Sequence, residues 1–187
     1  TSVSESLKQD TLRLFNVHKD IKVIPNFIDL KKPNEIIPCK RSVMAKPNEL
    51  IVTHISNFRK VKRVDDVVRV FYGIQQQLPA KLIMVGDGPE RETADQLCKD
   101  LGIKSKVLFL GNTSDIDRIL CMSDLFLLPS ASESFGLSAL EAMAAGVPVV
   151  SSNAGGLSEV NEEGVSGYLC PIGDVQTMAE KAIYILS

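Results

Sequence analysis

The chain has 187 residues, of which 44% are hydrophobic and 24% charged, enough for one domain with a proper core and some extra chain but not for two of normal size. A formal net charge of −2 excludes a general attraction for nucleic acid or an anionic membrane, so any basic site must be local. The longest strongly apolar runs, such as Leu125 to Leu128, fall far short of the roughly 20 residues of a membrane-crossing helix.

Four cysteines (Cys39, Cys98, Cys121 and Cys170) are scattered along the chain without the close pairs of a zinc site, and read as reduced thiols of a cytoplasmic protein. The opening TSVSESL has neither an initiator methionine nor a charged and apolar leader. It reads as the start of a piece of something longer, with no signal peptide.

In chain order, a short extended piece at residues 1–4 leads into a helical stretch from about Glu5 to Asn16, and IKVIP (21–25) reads as a strand. Residues 26–48 contain Pro33, Pro38 and Pro47, several lysines and no steady period, the composition of a linker or long crossing loop. From Leu50 onward, short β-rich runs alternate with helical patterns. Strands are expected at 50–55, 81–85, 106–110, 124–128, 147–151 and 167–170. Between them Val64, Val67, Val68, Phe71 and Ile74 recur at helical spacing, then Leu97 and Leu101, then Ile116, Ile119 and Leu120. Apolar strands that do not alternate imply burial on both faces, and hence a doubly wound, Rossmann-like parallel sheet of the α/β class covered by helices. Ligands of such sheets bind beyond the carboxyl ends of the strands.

The loops there carry the candidate chemistry. In SESFGLSALEAMAAGVP (132–148), Ser134, Phe135 and Gly136 open a helix whose first amides are free for a phosphate or hydroxyl oxygen. Glu133 precedes this helix and Glu141 sits inside it, in a run with so little polar face that the helix is expected to lie inside the protein. A carboxylate there needs a partner. The bland alternative leaves Glu133 on the surface and Glu141 bound to neighbouring amides. SNFRKVKR (56–63) places Arg59, Lys60, Lys62 and Arg63 at a strand's carboxyl end, suited to a diphosphate or simply a solvated charge run. GDGPER (86–91) fails the dinucleotide pattern because Arg91 occupies the third glycine position; Gly86 and Gly88 would let the turn approach a ligand. FLGNTSD (109–115) either caps a helix or offers Gly111 and Asn112 to a base. Gly155 and Gly156 in NAGGLSEV serve a turn. His18 and His54 have no partner at ligand spacing, and no Ser-His-Asp, GxSxG or HExxH arrangement occurs.

GDGPE, FLGN, MSDLFLLPS, ESFGLSALE, EAMAAGVPVV, GG-x-x-E and GYL, in this order, resemble the C-terminal, donor-binding half of retaining glycosyltransferases of the GT-B type, family 4. HISNFRKVKRVDDVV narrows the resemblance to the branch that begins bacillithiol biosynthesis. The resemblance divides the chain into the end of an N-terminal acceptor domain (1–24), an interdomain linker (25–48) and a nucleotide-sugar-binding domain (49–187). It implies that Glu141 binds the ribose hydroxyls of a UDP-sugar, UDP-N-acetylglucosamine being favoured, and that Glu133 contacts the transferred sugar. Phe135, Gly136, Leu137 and Ser138 would meet the sugar and the β-phosphate, Arg59 and Lys62 would neutralise the departing diphosphate, and Gly111 and Asn112, with Gly86 nearby, would hold the base end. Many members have Gly-Arg where this chain has Ser56-Asn57, so the diphosphate arginine is displaced to Arg59. No cofactor or metal is implied. The acceptor would be a small molecule such as L-malate, and a homo-oligomer of the full-length protein stays open. Two other readings are a UDP-sugar-binding module inactive without its N-terminal domain and a Rossmann-like domain with no nucleotide ligand.

Overall fold

A computed structural model describes residues 1–29 and 40–187. Six strands, β1 (Leu50–Ile55), β2 (Ala80–Val85), β3 (Val107–Gly111), β4 (Leu125–Leu128), β5 (Val149–Ser152) and β6 (Gly167–Cys170), form one parallel sheet in the order β3-β2-β1-β4-β5-β6. The order reverses between β1 and β4, so the connections diverge to opposite sides there and leave a crevice at the carboxyl ends of those two strands.

Because successive strand residues face opposite ways, one face buries Val52, Leu82, Met84, Leu125 and Leu127 against α2 (Val64–Gln75), α3 (Arg91–Asp100) and α7 (Val175–Leu186). On the other face, Phe126, Leu128 and Val149 meet α5 (Leu137–Ala144) and α6 (Leu157–Val160), while Ile51, Ile83 and Val85 meet α4 (Ile116–Leu120) and Met122. The regularly spaced Val64, Val67, Val68, Phe71 and Ile74 are all buried on α2. α7, which no sequence pattern singled out, closes the sheet by packing along α2.

Three expectations are corrected. IKVIP is not a strand: only Val23 bridges to Ser2, with Ser2 N–H donating to Lys22 O and Ile24 N–H to Ser2 O, and no described residue extends the ladder. Cys98 and Cys170 are free, but Cys121 is disulfide-bonded, while Cys39 lies outside the described residues. α5 is not buried all round: Ala139 and Ala142 are, yet Leu137 is 44% exposed and Glu141 half-buried, because a helix that covers one face of the sheet over β4 and β5 has only one inner side. The early helix α1 spans Glu5–Leu14.

Thr53 and His54 are polar residues inside β1, both fully buried. Thr53 Oγ1 pairs with Ser123 Oγ at 2.6 Å; His54 Nδ1 lies 2.8 Å from Leu127 O and Nε2 2.7 Å from Ser56 Oγ. Burial, above all, holds the His54 imidazole down at about 4, with Lys62 adding to the effect against the Leu127 hydrogen bond. The native state then binds fewer protons than the unfolded chain between about pH 6.5 and 4, so stability falls as pH drops through that window. The loss approaches about 3 kcal/mol at its lower end. Urea denaturation at pH 7 and 4.5 should show this decline in the wild type and a distinctly smaller one in His54→Asn; equal declines would remove His54 as the cause.

Candidate functional site

β1, β2, β3 and β4 all end at one cleft of about 520 Å³. Ile55, Ser56 and Asn57 enter it from β1, Val85 and Gly86 from β2, Asn112 and Thr113 from β3, Glu133 to Gly136 from the β4–α5 connection, and Leu137, Ser138 and Glu141 from α5. Lys62 reaches in from the turn before α2. Of the residues singled out above, Lys62, Gly86, Asn112, Glu133, Phe135, Gly136, Leu137, Ser138 and Glu141 therefore share one cavity.

Arg59 and Gly111 do not line it. β1 ends, Asn57 faces the cleft, Phe58 turns into the core with no exposed surface, and the 3-10 turn Lys60–Lys62 follows. That winding leaves Arg59, Lys60 and Val61 facing solvent and brings the third residue, Lys62, back inward. Gly111 stands at the strand end behind Asn112, where its carbonyl accepts from Gly86 N–H at 2.9 Å.

Lys62 Nζ donates to Glu133 Oε1 at 2.5 Å, and Ser130 Oγ donates to the same oxygen at 2.9 Å. Both members of this ion pair are largely shielded, at 19% and 11% side-chain exposure. The Glu133 backbone is held by its carbonyl, which accepts from Gly156 N–H at 2.9 Å. A Cβ on Gly155 would overlap that carbonyl, which explains the glycine pair of NAGGLSEV as a close-approach requirement.

α5 opens at Gly136, whose φ of 97° is left-handed, and no side chain caps its first turn. Its leading amides and partial positive charge stay available to an oxygen ligand. Glu141 sits about one turn further along, and its carboxylate makes no hydrogen bond or ion pair among the described residues. Burial, and then the neighbouring Asp117 carboxylate, raise its pKa above the ordinary carboxylate value. A half-buried carboxylate with only a like charge beside it is stabilised by any ligand that donates hydrogen bonds to it. The cleft thus combines one cation and uncapped amides for an anion with an unsatisfied acceptor for hydroxyl groups.

Sequence reasoning missed the N-terminal contribution. Val3 and Asn26 line the cleft. Ser4 Oγ donates to Ser134 O at 2.6 Å, and both Glu159 oxygens accept, at 2.8 Å, from Glu5 N–H and Ser6 N–H at the start of α1. The glutamate of GG-x-x-E is therefore a helix cap that ties α1 to the β5 side of the site. Ser4 followed by Glu5 was a legible capping signal, but nothing local points to a partner 154 residues away.

Among the described residues no group of three or more His, Cys, Asp and Glu side chains could hold a metal ion, and no helix is long and apolar enough to cross a membrane.

The sequence pattern of the family "Glycosyl transferases group 1" matches residues 39–187. N-acetyl-alpha-D-glucosaminyl L-malate synthase of Bacillus anthracis is 47% identical over 188 residues, covering 100% of this chain and 49% of that protein. D-inositol 3-phosphate glycosyltransferase of Mycobacterium marinum is 33% identical over 181 residues, covering 89% and 38%. Among solved structures, Anabaena HepE in complex with UDP and glucose superposes with a TM-score of 0.87 at 28% identity, covering 100% of this chain and 53% of that one. The chain spans about half the length or less of these relatives. The sheet order and the neighbours together make the fold the Rossmann-like half of a GT-B glycosyltransferase.

Proposed function

The chain belongs to the glycosyl transferases group 1 family, and on that premise we propose that it is the donor-binding half of a retaining, metal-independent enzyme that holds UDP-N-acetylglucosamine for transfer to L-malate. The observation that carries this reading is the placement of the partnerless Glu141 in one cleft with the Lys62–Glu133 pair and the uncapped start of α5. The choice of sugar and acceptor is supported by the name of the 47% identical relative, and the choice of nucleotide by the UDP bound in HepE and in Staphylococcus aureus TarM.

In this reading ribose hydroxyls donate to Glu141, and the α5 amides with Lys62 receive the diphosphate. As UDP departs, negative charge builds on the β-phosphate while the anomeric carbon becomes cation-like. On binding, Lys62 exchanges Glu133 for phosphate oxygen, and the freed Glu133 carboxylate faces the sugar. Preorganised donors of this kind are stronger towards the transition state than the ground state, where their effect on rate lies. Residues 1–24 would be the end of an acceptor domain, 25–48 the linker and 49–187 the donor domain. The strongly exposed Leu14 and Phe15 of the first stretch and Phe27 of the linker, at 68%, 65% and 88%, support a further surface packing against this end of the chain.

Calorimetric titration of the chain with UDP, GDP, ADP and UDP-N-acetylglucosamine, each repeated on Glu141→Ala, tests the reading. Uridine nucleotides should bind selectively, and the substitution should weaken them about ten- to a hundredfold, the loss of charge-assisted hydrogen bonds. No binding, or binding indifferent to Glu141→Ala, would overturn it.

A further inference from the structure

Ser56 and Asn57 follow the end of β1, and both line the cleft. A serine hydroxyl in a binding site ordinarily turns to donate or accept as the ligand requires. Here the residue behind it removes that choice. His54 Nδ1 lies 2.8 Å from the Leu127 carbonyl oxygen, which can only accept, so Nδ1 carries a proton. The imidazole is completely buried, with the Lys62 ammonium acting unfavourably on its charged form. Its pKa of about 4 keeps it neutral at pH 7. Nε2 is then a bare lone pair, and at 2.7 Å the Ser56 hydroxyl must donate to it. Phe58, itself without exposed surface, stacks on the ring with centroids 6.1 Å apart and holds its plane.

We propose that Ser56, oriented by His54, is a specificity-determining acceptor in the donor cleft, presenting only oxygen lone pairs and selecting a ligand O–H or N–H at that point over a bare phosphate oxygen. His54 acts through Ser56 and is a positioning residue. The proposal rests on the donor-site reading above and adds to it which kind of ligand atom meets this wall of the cleft. A phosphate oxygen there would set lone pair against lone pair, whereas the backbone of a glycine would leave the wall neutral in this choice. The matching group belongs either to the nucleoside or to the transferred sugar.

Two measurements test it. In a long-range proton–nitrogen NMR spectrum of the free chain at pH 7, the His54 ring should be protonated at Nδ1 and bare at Nε2. In calorimetry at the same pH, Ser56→Ala should weaken binding about three- to tenfold, the loss expected of one neutral hydrogen bond, and Ser56→Thr should restore it. A loss with both UDP and UDP-N-acetylglucosamine places the donating group on the nucleoside; a loss with the sugar nucleotide alone places it on the sugar. An Nε2-protonated ring, or a Ser56→Ala chain that binds both ligands as tightly as the wild type, overturns this proposal alone. A wild-type chain that binds neither overturns the donor-site reading and the proposal with it.

Discussion

Replacing Lys62 by alanine in the full-length enzyme is expected to lower kcat for sugar transfer about 10²- to 10³-fold, the scale of losing one donor aimed at transition-state charge. The effect should fall on kcat more than on KM. In the absence of ligand Lys62 is already engaged at 2.5 Å by Glu133, so binding a ground-state diphosphate exchanges one anion for another and gains little. On the proposed reading, the larger charge of the leaving phosphate is what Lys62 would meet to advantage. Arg59→Ala removes the same formal charge three residues away, from a side chain that faces solvent and does not line the cleft. Its effect should stay within about threefold, as for a screened surface charge. Steady-state kinetics on the two variants separates these cases. Equal losses would mean that the basic run acts as a diffuse field, and an active Lys62→Ala enzyme would place the neutralising group elsewhere.

Gly86→Ala should be among the most disruptive single methyl additions in the chain. Gly86 lies at φ 119°, and a Cβ built there overlaps the Ser56 carbonyl oxygen and closes to 3.4 Å on Phe58. Backbone pairs with backbone at this crossing: Ser56 N–H donates to Val85 O at 3.1 Å and Phe58 N–H to Asp87 O at 2.9 Å. Neither loop can retreat without losing ladder bonds, so destabilisation above about 3 kcal/mol is expected, enough to deplete folded protein in a marginally stable domain. Gly111→Ala is the control. Its φ of 68° is also left-handed, but nothing lies within 4 Å of the added carbon, and the cost should be about 1 to 2 kcal/mol of backbone strain alone. Urea denaturation of both variants reads the difference; comparable stabilities would show that the β1 and β2 loops can separate freely.

These two residues mark how far local sequence reaches. The β/α alternation from Leu50, the burial of both sheet faces and the position of the cleft beyond the strand ends were legible because each depends on contiguous residues: a run of Val, Ile and Leu, a helical period, a loop that follows a strand. The glutamate spacing around α5 was legible for the same reason. The basic run was not resolvable in this way. Its four cations look alike in sequence, and only the turn after Phe58 separates Lys62 from Arg59. Composition could not show that Leu137 and Ala144 of α5 are exposed, since the burial of a helix depends on how many elements surround it.

What the sequence by itself determined is the doubly wound parallel sheet and the set of loops from which the site is drawn, through hydrophobic periodicity and turn chemistry that operate within a few residues. Tertiary structure alone decided which members of those loops meet: Lys62 with Glu133 across 71 residues, Ser4 with Ser134 across 130 and Glu5 with Glu159 across 154. It also aimed the Ser56 hydroxyl through a histidine fixed by β4. Such contacts form only after the sheet has closed, because their geometry is set by the packing of elements distant in sequence and leaves no periodic trace in the residues that make them.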